Sequence, residues 1–378
     1  MLTQAAIDAF TALTGTAPEG VWVGPGRINL IGEHTDYNDG YVLPFALPQA
    51  AYVAASARAD GRWRFRSVDL DDTVELGQAE LVPGSPGWHS YLAGVVWALQ
   101  QAGHEVGGAD LVLTSDVPLG AGLSSSAAIE CATLAALVDL YGLTIDPVDR
   151  AKLARVAENA YVGAPTGLLD QAASTLCTAD HALFLDCRTL ETRQVPLAVT
   201  DAGLEILVID TRTRHSHVDG EYAARRASCE KAAAILGVPA LRDVTDLDAA
   251  LAQLPALEAR RVRHIVTEDQ RVLDAMDALA ADDYAELGRL MTASHASMRD
   301  DYEITERSVD LAVETALGAG ALGARMTGGG FGGCVLALVH ADRVEATAEA
   351  VRAAFAEAGL GEPVTFLGRP SAGARRLV

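Results

Sequence analysis

Apolar residues recur at helical spacing through WHSYLAGVVWALQQAG (88–103), a run that stops at a glycine. They recur again in AAIECATLAALVDLYGL, at positions 129, 134, 137, 138 and 141. Residues 1–16 predict a short amphipathic helix, and 147–162 another that ends before GAPTG. Period-two alternation marks strands at 49–58 and 61–68. VWVGPGRINLIGEHTD reads as a strand broken at Gly24-Pro25-Gly26, and ADLVLTSDVPLGAGLSSS as a strand running into a glycine-rich turn. Beyond residue 181, LFLDCR and LEILVID predict strands, followed by helices at 219–236, 247–254, 257–279, 282–298 and 302–318. GARMTGGGFGGCVLALVH places a second glycine-rich turn before an apolar strand, and a helix at 342–358 and the strand VTFL complete the pattern. Strands and helices mix without strict βαβ alternation, which predicts an α+β fold rather than a doubly wound sheet. The 378 residues suit two domains of roughly 150 residues or more each. The expected division is 1–187 and 188–378, with no flexible linker to mark it.

One segment breaks the apolar pattern. In GRINLIGEHTDYNDGYVLPFAL, Arg27, Asn29, Glu33, His34, Asp36, Asn38 and Asp39 lie among Ile28, Leu30, Ile31, Val42, Leu43 and Phe45. Charged groups stay near a core only when they pair with each other or bind a ligand. A hydroxyl-rich ligand suits carboxylates and histidine, which form directional hydrogen bonds. Arg27 suits a catalytic carboxylate or a phosphate. The same residues also suit a structural salt-bridge network.

Three glycine turns carry further chemistry. In PLGAGLSSSAAIE (118–130), Gly120 and Gly122 let the backbone approach a ligand, and Ser124, Ser125 and Ser126 open the following helix. The free N–H groups of a helix start favour an anion, and a serine hydroxyl there can bind Mg²⁺. A serine N-cap after a tight turn fits equally. The segment is no P-loop, because it lacks the lysine, and no dinucleotide fingerprint, because Ser125 stands where the third glycine is needed. TGGGFGGC (327–334) packs five glycines into six residues, which implies close approach to a ligand or to another element. In GAPTGLLDQAAS (163–174), Asp170 beside Leu168 and Leu169 is a candidate general base, or an acid favoured by a helix N-terminus.

Charge narrows the classes. With 51 acidic and 29 basic side chains the net charge is −22, which disfavours nucleic acid and anionic membranes as partners. The densest basic cluster, Arg225-Arg226 with Lys231, is too sparse to change that. The N-terminus lacks a signal-peptide pattern, and no run of about 18 apolar residues predicts a membrane span. Five scattered cysteines without a CxxC pair predict reduced thiols and a cytoplasmic protein. His215 and His217, a lone HxH pair, lack a third ligand and predict no zinc site.

Taken in this order, the motifs resemble those of the galactokinases, a branch of the GHMP kinase superfamily. GRINLIGEHTDYNDGYVLP matches the galactokinase signature, PLGAGLSSSAA the superfamily phosphate loop and TGGGFGGC its third motif, and LFLDCRTLETRQVPL and RHSHVDGEYAARRASCE are also similar. The resemblance runs from about residue 20 to 340. It implies two lobes with the site between them, and transfer of the γ-phosphoryl of ATP to the C1 hydroxyl of α-D-galactose, the entry step of galactose breakdown. By the resemblance Asp170 is the base and Arg27 stabilises the transferring phosphoryl. Glu33, His34, Thr35, Asp36, Gly167 and Tyr222 meet the sugar. Gly120, Ala121, Gly122, Leu123, Ser124, Ser125 and Ser126 hold the nucleotide, with Ser67 and Trp88 beside it, and Ser126 and Glu158 bind Mg²⁺. A carboxylate fixed against the axial C4 hydroxyl would separate galactose from glucose. Leu169 replaces a common methionine and Ser90 a common asparagine, neither at a proposed chemical group. The rival readings are a non-catalytic sugar and ATP sensor, and a kinase for N-acetylgalactosamine, arabinose or galacturonate. A monomer is the default expectation.

Overall fold

The computed structural model describes residues 1–213 and 218–378, with only the backbone of 218 and 219; the HxH pair at 215 and 217 lies outside the described residues. In chain order the elements are α1 (Leu2–Thr14), β1 (Gly20–Asn29), β2 (Tyr41–Val42), β3 (Pro44–Arg58), β4 (Trp63–Ser67), β5 (Asp72–Leu76), α2 (Ser90–Gln101), β6 (Gly108–Ser115), α3 (Ser125–Leu140), α4 (Pro147–Val156) and α5 (Leu169–Leu176). Then come β7 (His181–Asp186), β8 (Thr192–Pro196), β9 (Leu204–Asp210), α6 (Val218–Leu236), α7 (Leu247–Leu251), α8 (Ala256–Ala280) and α9 (Tyr284–Ser297). The chain closes with α10 (Arg307–Gly318), β10 (Gly323–Thr327), β11 (Cys334–His340), α11 (Val344–Glu357), β12 (Val364–Leu367) and β13 (Arg375–Arg376). No described helix is long and apolar enough to cross a membrane.

The strands form three sheets, in the orders β13-β1-β3-β6-β4-β5, β2-β7-β8 and β10-β11-β9-β12. Helix α3 packs across β1 and β3. It is buried on nearly every face, which is why its apolar positions show no single stripe. One apolar core joins this layer to Ile206, Val208, Leu336 and Leu338 of β9 and β11. The alternate residues of those strands, Leu207, Ile209, Val335 and Ala337, face a second core that includes residues of α10 and α11. Both faces of that sheet are therefore covered, and its strands read as continuous apolar runs.

Three expectations need correction. β1 is not broken at Gly24-Pro25-Gly26: it pairs with β3 throughout, with a register shift between Pro25 and Arg27. The irregularity lies on β3, where Leu47, Pro48 and Gln49 stand against Gly26 alone. Pro25 is tolerated because β13 pairs only with Trp22 and Val23, so no neighbour on that side needs its missing N–H. The helix expected from 302 begins at Arg307, because α9 runs on as a π-helix (298–302) and Glu303 then turns left-handed at φ 57°. The helix expected over 147–162 changes to a π-helix at 157–162, the stretch that carries Glu158. The expected 187/188 boundary lies between β7 and β8, which pair with each other. We propose the loop before β9 as the division, with the C-terminal tail returning to the first sheet through β13.

Helix α1 docks by Ala6 and Phe10 against Val21, Ala54 and Val112. Phe10 is almost fully buried. Phe10→Ala removes most of that contact and should lower the unfolding free energy by roughly 3–5 kcal/mol in urea denaturation. A loss under about 1 kcal/mol would show that α1 adds little to the fold.

Candidate active site

Past the β1–β3 register shift, Arg27 meets two other segments. Its backbone N–H donates to the Leu123 carbonyl at 3.1 Å, and its Nη1 to the Gly122 carbonyl at 2.6 Å. Its Nε and Nη2 both reach Oδ1 of Asp170, at 2.7 and 2.6 Å. Asp170 stands in the first turn of α5, which Ser174 pins to β1 by donating to the Pro25 carbonyl at 2.8 Å. The other Asp170 oxygen accepts the Ser124 hydroxyl. Ser124, left-handed at φ 54°, makes no capping bond to α3, so the simple N-cap reading fails. The start of α3 keeps its N–H groups uncapped by any side chain, which suits an anion.

Two cavities meet at this pair. The first, about 190 Å³, is lined by Arg27, Asn29, Glu33, His34, Asp36, residues 164–167, Leu169, Asp170, Tyr222, Gly328 and Gly329. The second, about 510 Å³, is lined by Arg27, Pro118, Gly120, Gly122, residues 123–126, Asp170, Thr213, Thr327 and residues 329–333. Arg27, Asp170 and Gly329 belong to both. The two glycine loops approach to backbone contact: a Cβ on Gly328 would lie 2.9 Å from the Gly122 carbonyl oxygen. Part of the glycine density thus serves loop-to-loop packing.

The charged opening motif divides its labour. Asp36 faces the first cavity, and its Oδ1 accepts the Tyr37 N–H at 3.0 Å. A Cβ on Gly167 would fall 1.7 Å from Asp36 Oδ2, so only glycine leaves room for the carboxylate. Burial, and then the charge of Asp170, raise the Asp36 pKa to about 6. Burial lowers that of His34 to about 3, so its ring is neutral, and it raises the Tyr222 hydroxyl well above its ordinary value. Glu33 is already engaged by protein. It accepts from Asn29 Nδ2 at 2.6 Å, Arg325 Nη2 at 2.7 Å and Gly328 N–H at 2.7 Å. Burial pushes its carboxyl up, against the pull of Arg325.

Not every expected residue reaches a cavity. Thr35 is fully buried and donates to the carbonyls of Gly32 or Tyr41, so it staples its loop. Ala121 is also fully buried. Ser67 lines neither cavity, and its hydroxyl accepts the Leu70 N–H. Trp88 lines neither cavity, and its Nε1 donates to Asp72. Glu158 sits behind the second cavity, where it bonds the Ser126 hydroxyl, Gln171 at 2.5 Å and Thr166 at 3.1 Å.

Three regions match family models: a galactokinase galactose-binding signature at 8–57, a GHMP kinase N-terminal domain at 90–178 and a GHMP kinase C-terminal domain at 275–357. A galactokinase of Streptomyces coelicolor is 55% identical over 98% of this chain and 97% of its own. The chain belongs to the galactokinase family. A galactokinase of Mycobacterium tuberculosis is 50% identical over 90% of this chain and 94% of its own. The crystal structure of Lactococcus lactis galactokinase complexed with galactose superposes with a TM-score of 0.96, at 32% identity, over all of both chains.

Asn29, named in the charged segment without a role of its own, faces the first cavity. Sequence reasoning passed over other lining residues: Thr166 faces the first cavity, and Thr213 and Phe331 the second. Arg325, fully buried beneath Glu33, was legible as a lone cation in the strand GARMT. Thr213 carries no local signal.

The raised Asp36 pKa has a consequence for stability. In the fold Asp36 keeps its proton to about pH 6, whereas an unfolded aspartate releases it near pH 4. Between those values the native state binds more protons than the unfolded chain, so stability falls as pH rises. Asp36→Asn removes that dependence. Its advantage over the unsubstituted chain in urea unfolding should grow by on the order of 1–2 kcal/mol from about pH 4 to pH 7, a range reduced for partial exposure. A constant difference across that window would show an ordinary Asp36.

Proposed function

We infer that this chain is a galactokinase: it transfers the γ-phosphoryl of ATP to the C1 hydroxyl of α-D-galactose, giving galactose 1-phosphate and ADP. The observation that carries the site assignment is the meeting of the two cavities at Arg27 and Asp170. On this reading the sugar occupies the first and the triphosphate the second. The first suits a polyol, with Asp36 on its wall and a buried Asn29 Oδ1 that has no protein partner. The second suits a triphosphate, with glycine backbone, serine hydroxyls and the start of α3 on its wall.

The C1 oxygen attacks the γ-phosphorus, the bond from that phosphorus to the bridging oxygen breaks, and ADP leaves with the electron pair. Asp170 accepts the hydroxyl proton as its oxygen becomes bonded to phosphorus. Arg27, held at three points by Asp170 and the phosphate loop, keeps its charge at the junction where negative charge shifts during transfer. Its position costs no reorganisation during the reaction. Asp36 and Tyr222 orient the sugar, and Glu33 reaches the cavity as the anchor of its floor.

A divalent cation fits the remaining donors. Ser126 and Glu158 offer two hard oxygen ligands in contact with each other. Among the described residues no group of three or more His, Cys, Asp or Glu is placed to hold a metal ion, so phosphate oxygens and water would complete the shell. Mg²⁺ bound there would neutralise phosphate charge.

Two experiments test this reading. Asp170→Asn should lower ADP release with galactose by roughly 10²–10⁴-fold, while galactose binding by calorimetry stays within a few-fold. Near-normal turnover in that variant would remove Asp170 as the base. Ser126→Ala should raise the Mg²⁺ concentration needed for half-maximal turnover by roughly tenfold or more, with the galactose KM unmoved. An unchanged Mg²⁺ requirement would place the cation elsewhere.

A further inference from the structure

Behind the first cavity runs a chain of polar atoms from four separate segments. His34 Nε2 lies 3.2 Å from the Gly329 carbonyl oxygen, and its Nδ1 lies 2.6 Å from the Tyr37 hydroxyl. The Tyr37 hydroxyl lies 2.8 Å from that of Tyr302, which lies 3.1 Å from the Cys229 sulfur. Tyr302 is at the end of the π-helix after α9, and Cys229 is on α6. His34, Tyr302 and Cys229 are all buried.

Every donor in this chain can be assigned from one end. A backbone carbonyl only accepts, so His34 Nε2 carries a proton. The imidazole is neutral in this buried site, so Nδ1 has a lone pair and accepts. Tyr37 must then donate its single proton to Nδ1. Tyr302 in turn must donate to the Tyr37 oxygen, and the Cys229 thiol to the Tyr302 oxygen. Each hydroxyl gives once and receives once. The rings reinforce the order: His34 packs edge-on to Tyr37 at 5.7 Å and tilted on Tyr302 at 4.9 Å. His34 is itself left-handed, at φ 64°, so its backbone has few alternatives.

We propose that Tyr37 and Tyr302 are positioning residues that hold His34 in the Nε2–H form, so that its one N–H, which lies on the Gly329 carbonyl at the wall of the first cavity, is all the ring can share with a ligand there, and the ring never accepts. The proposal rests on the reading of that cavity as the sugar site. A sugar hydroxyl that meets His34 then accepts, while one that meets Asp36 can donate. The site would read the direction of hydrogen bonds as well as the positions of hydroxyls.

The test is nitrogen-15 NMR of the full chain labelled at its nine histidines, with His34 assigned from the signal lost in His34→Ala. The unsubstituted chain should show His34 protonated on Nε2 with Nδ1 hydrogen-bonded. Tyr37→Phe keeps the ring and removes the donor, so the Nδ1 resonance should move to that of an unbonded lone pair. The galactose KM should rise by roughly tenfold, with a smaller fall in kcat. Tyr302→Phe should move Nδ1 in the same direction by less, and it carries the test should Tyr37→Phe fail to fold. Protonation on Nδ1 in the unsubstituted chain, or an Nδ1 resonance unmoved by either substitution, would overturn the proposal and leave the tyrosines as packing. His34→Ala separates the underlying reading: an unchanged galactose KM would remove His34 from the sugar site, whatever the spectra show of its tautomer.

Discussion

A buried ion pair, Glu33 with Arg325, joins the first motif of the chain to the last. The two side chains meet at 2.7 Å with almost no exposure. Arg325 also donates to the carbonyls of Asn29 and Leu30, and Glu33 accepts the Gly328 N–H. Behind them the fully buried Glu268 accepts from Gly32, Ser294 and Arg271, and lies 3.6 Å from Arg325. Two carboxylates and two guanidiniums balance. Such a cluster costs desolvation on every member and adds little net stability, yet removing one member leaves an unpaired buried charge. What it contributes is position. β1 and β10 cannot slide past each other without breaking it, so the glycine loop that follows β10 is fixed against the phosphate loop.

From that fixed frame the chemistry follows by proximity. Arg27 is bonded to both the phosphate loop and Asp170, so it cannot swing away to leave an unpaired carboxylate. Burial, and then the nearby charge of Asp170, raise the proton affinity of Asp36. Two acids in one cavity thus differ in their environments. Asp170 holds a guanidinium on one oxygen and a serine hydroxyl on the other. Asp36 has neither a lysine nor an arginine as a direct partner among its recorded bonds, and its main support is backbone N–H.

Much of this was legible from residues near one another in the chain. Helical periodicity placed α2, α3, α6 and α8 within a few residues, because amphipathic or fully apolar helices write their burial into local sequence. The strand through Gly24-Pro25-Gly26 was misread because a bulge and the absence of a neighbouring strand are properties of pairing, not of composition. The charges at 27–39 pointed to a ligand or a network: Glu33 is bonded to a residue 292 positions away, as a network requires, while Asp36 faces a cavity. No local pattern encodes that distance. Ser67 and Trp88 rested on the resemblance alone, and in the fold they bond Leu70 and Asp72 and line neither cavity.

The two cavities make different demands, and the fold answers them with different materials. Phosphate presents acceptors in every direction, so backbone N–H groups, glycine and a helix start suffice, and precision in orientation is unnecessary. A sugar hydroxyl both donates and accepts, so a pocket that only supplies polar atoms would tolerate many orientations and many epimers. Discrimination requires groups whose polarity cannot reverse. A carboxylate is an acceptor while ionised, and an asparagine oxygen is always one; histidine is ambiguous unless its far nitrogen is committed. On the proposed reading, the hydroxyl chain through Tyr37 and Tyr302 removes that ambiguity at His34. Selectivity for a hydroxyl's orientation would then depend on side chains that never touch the sugar.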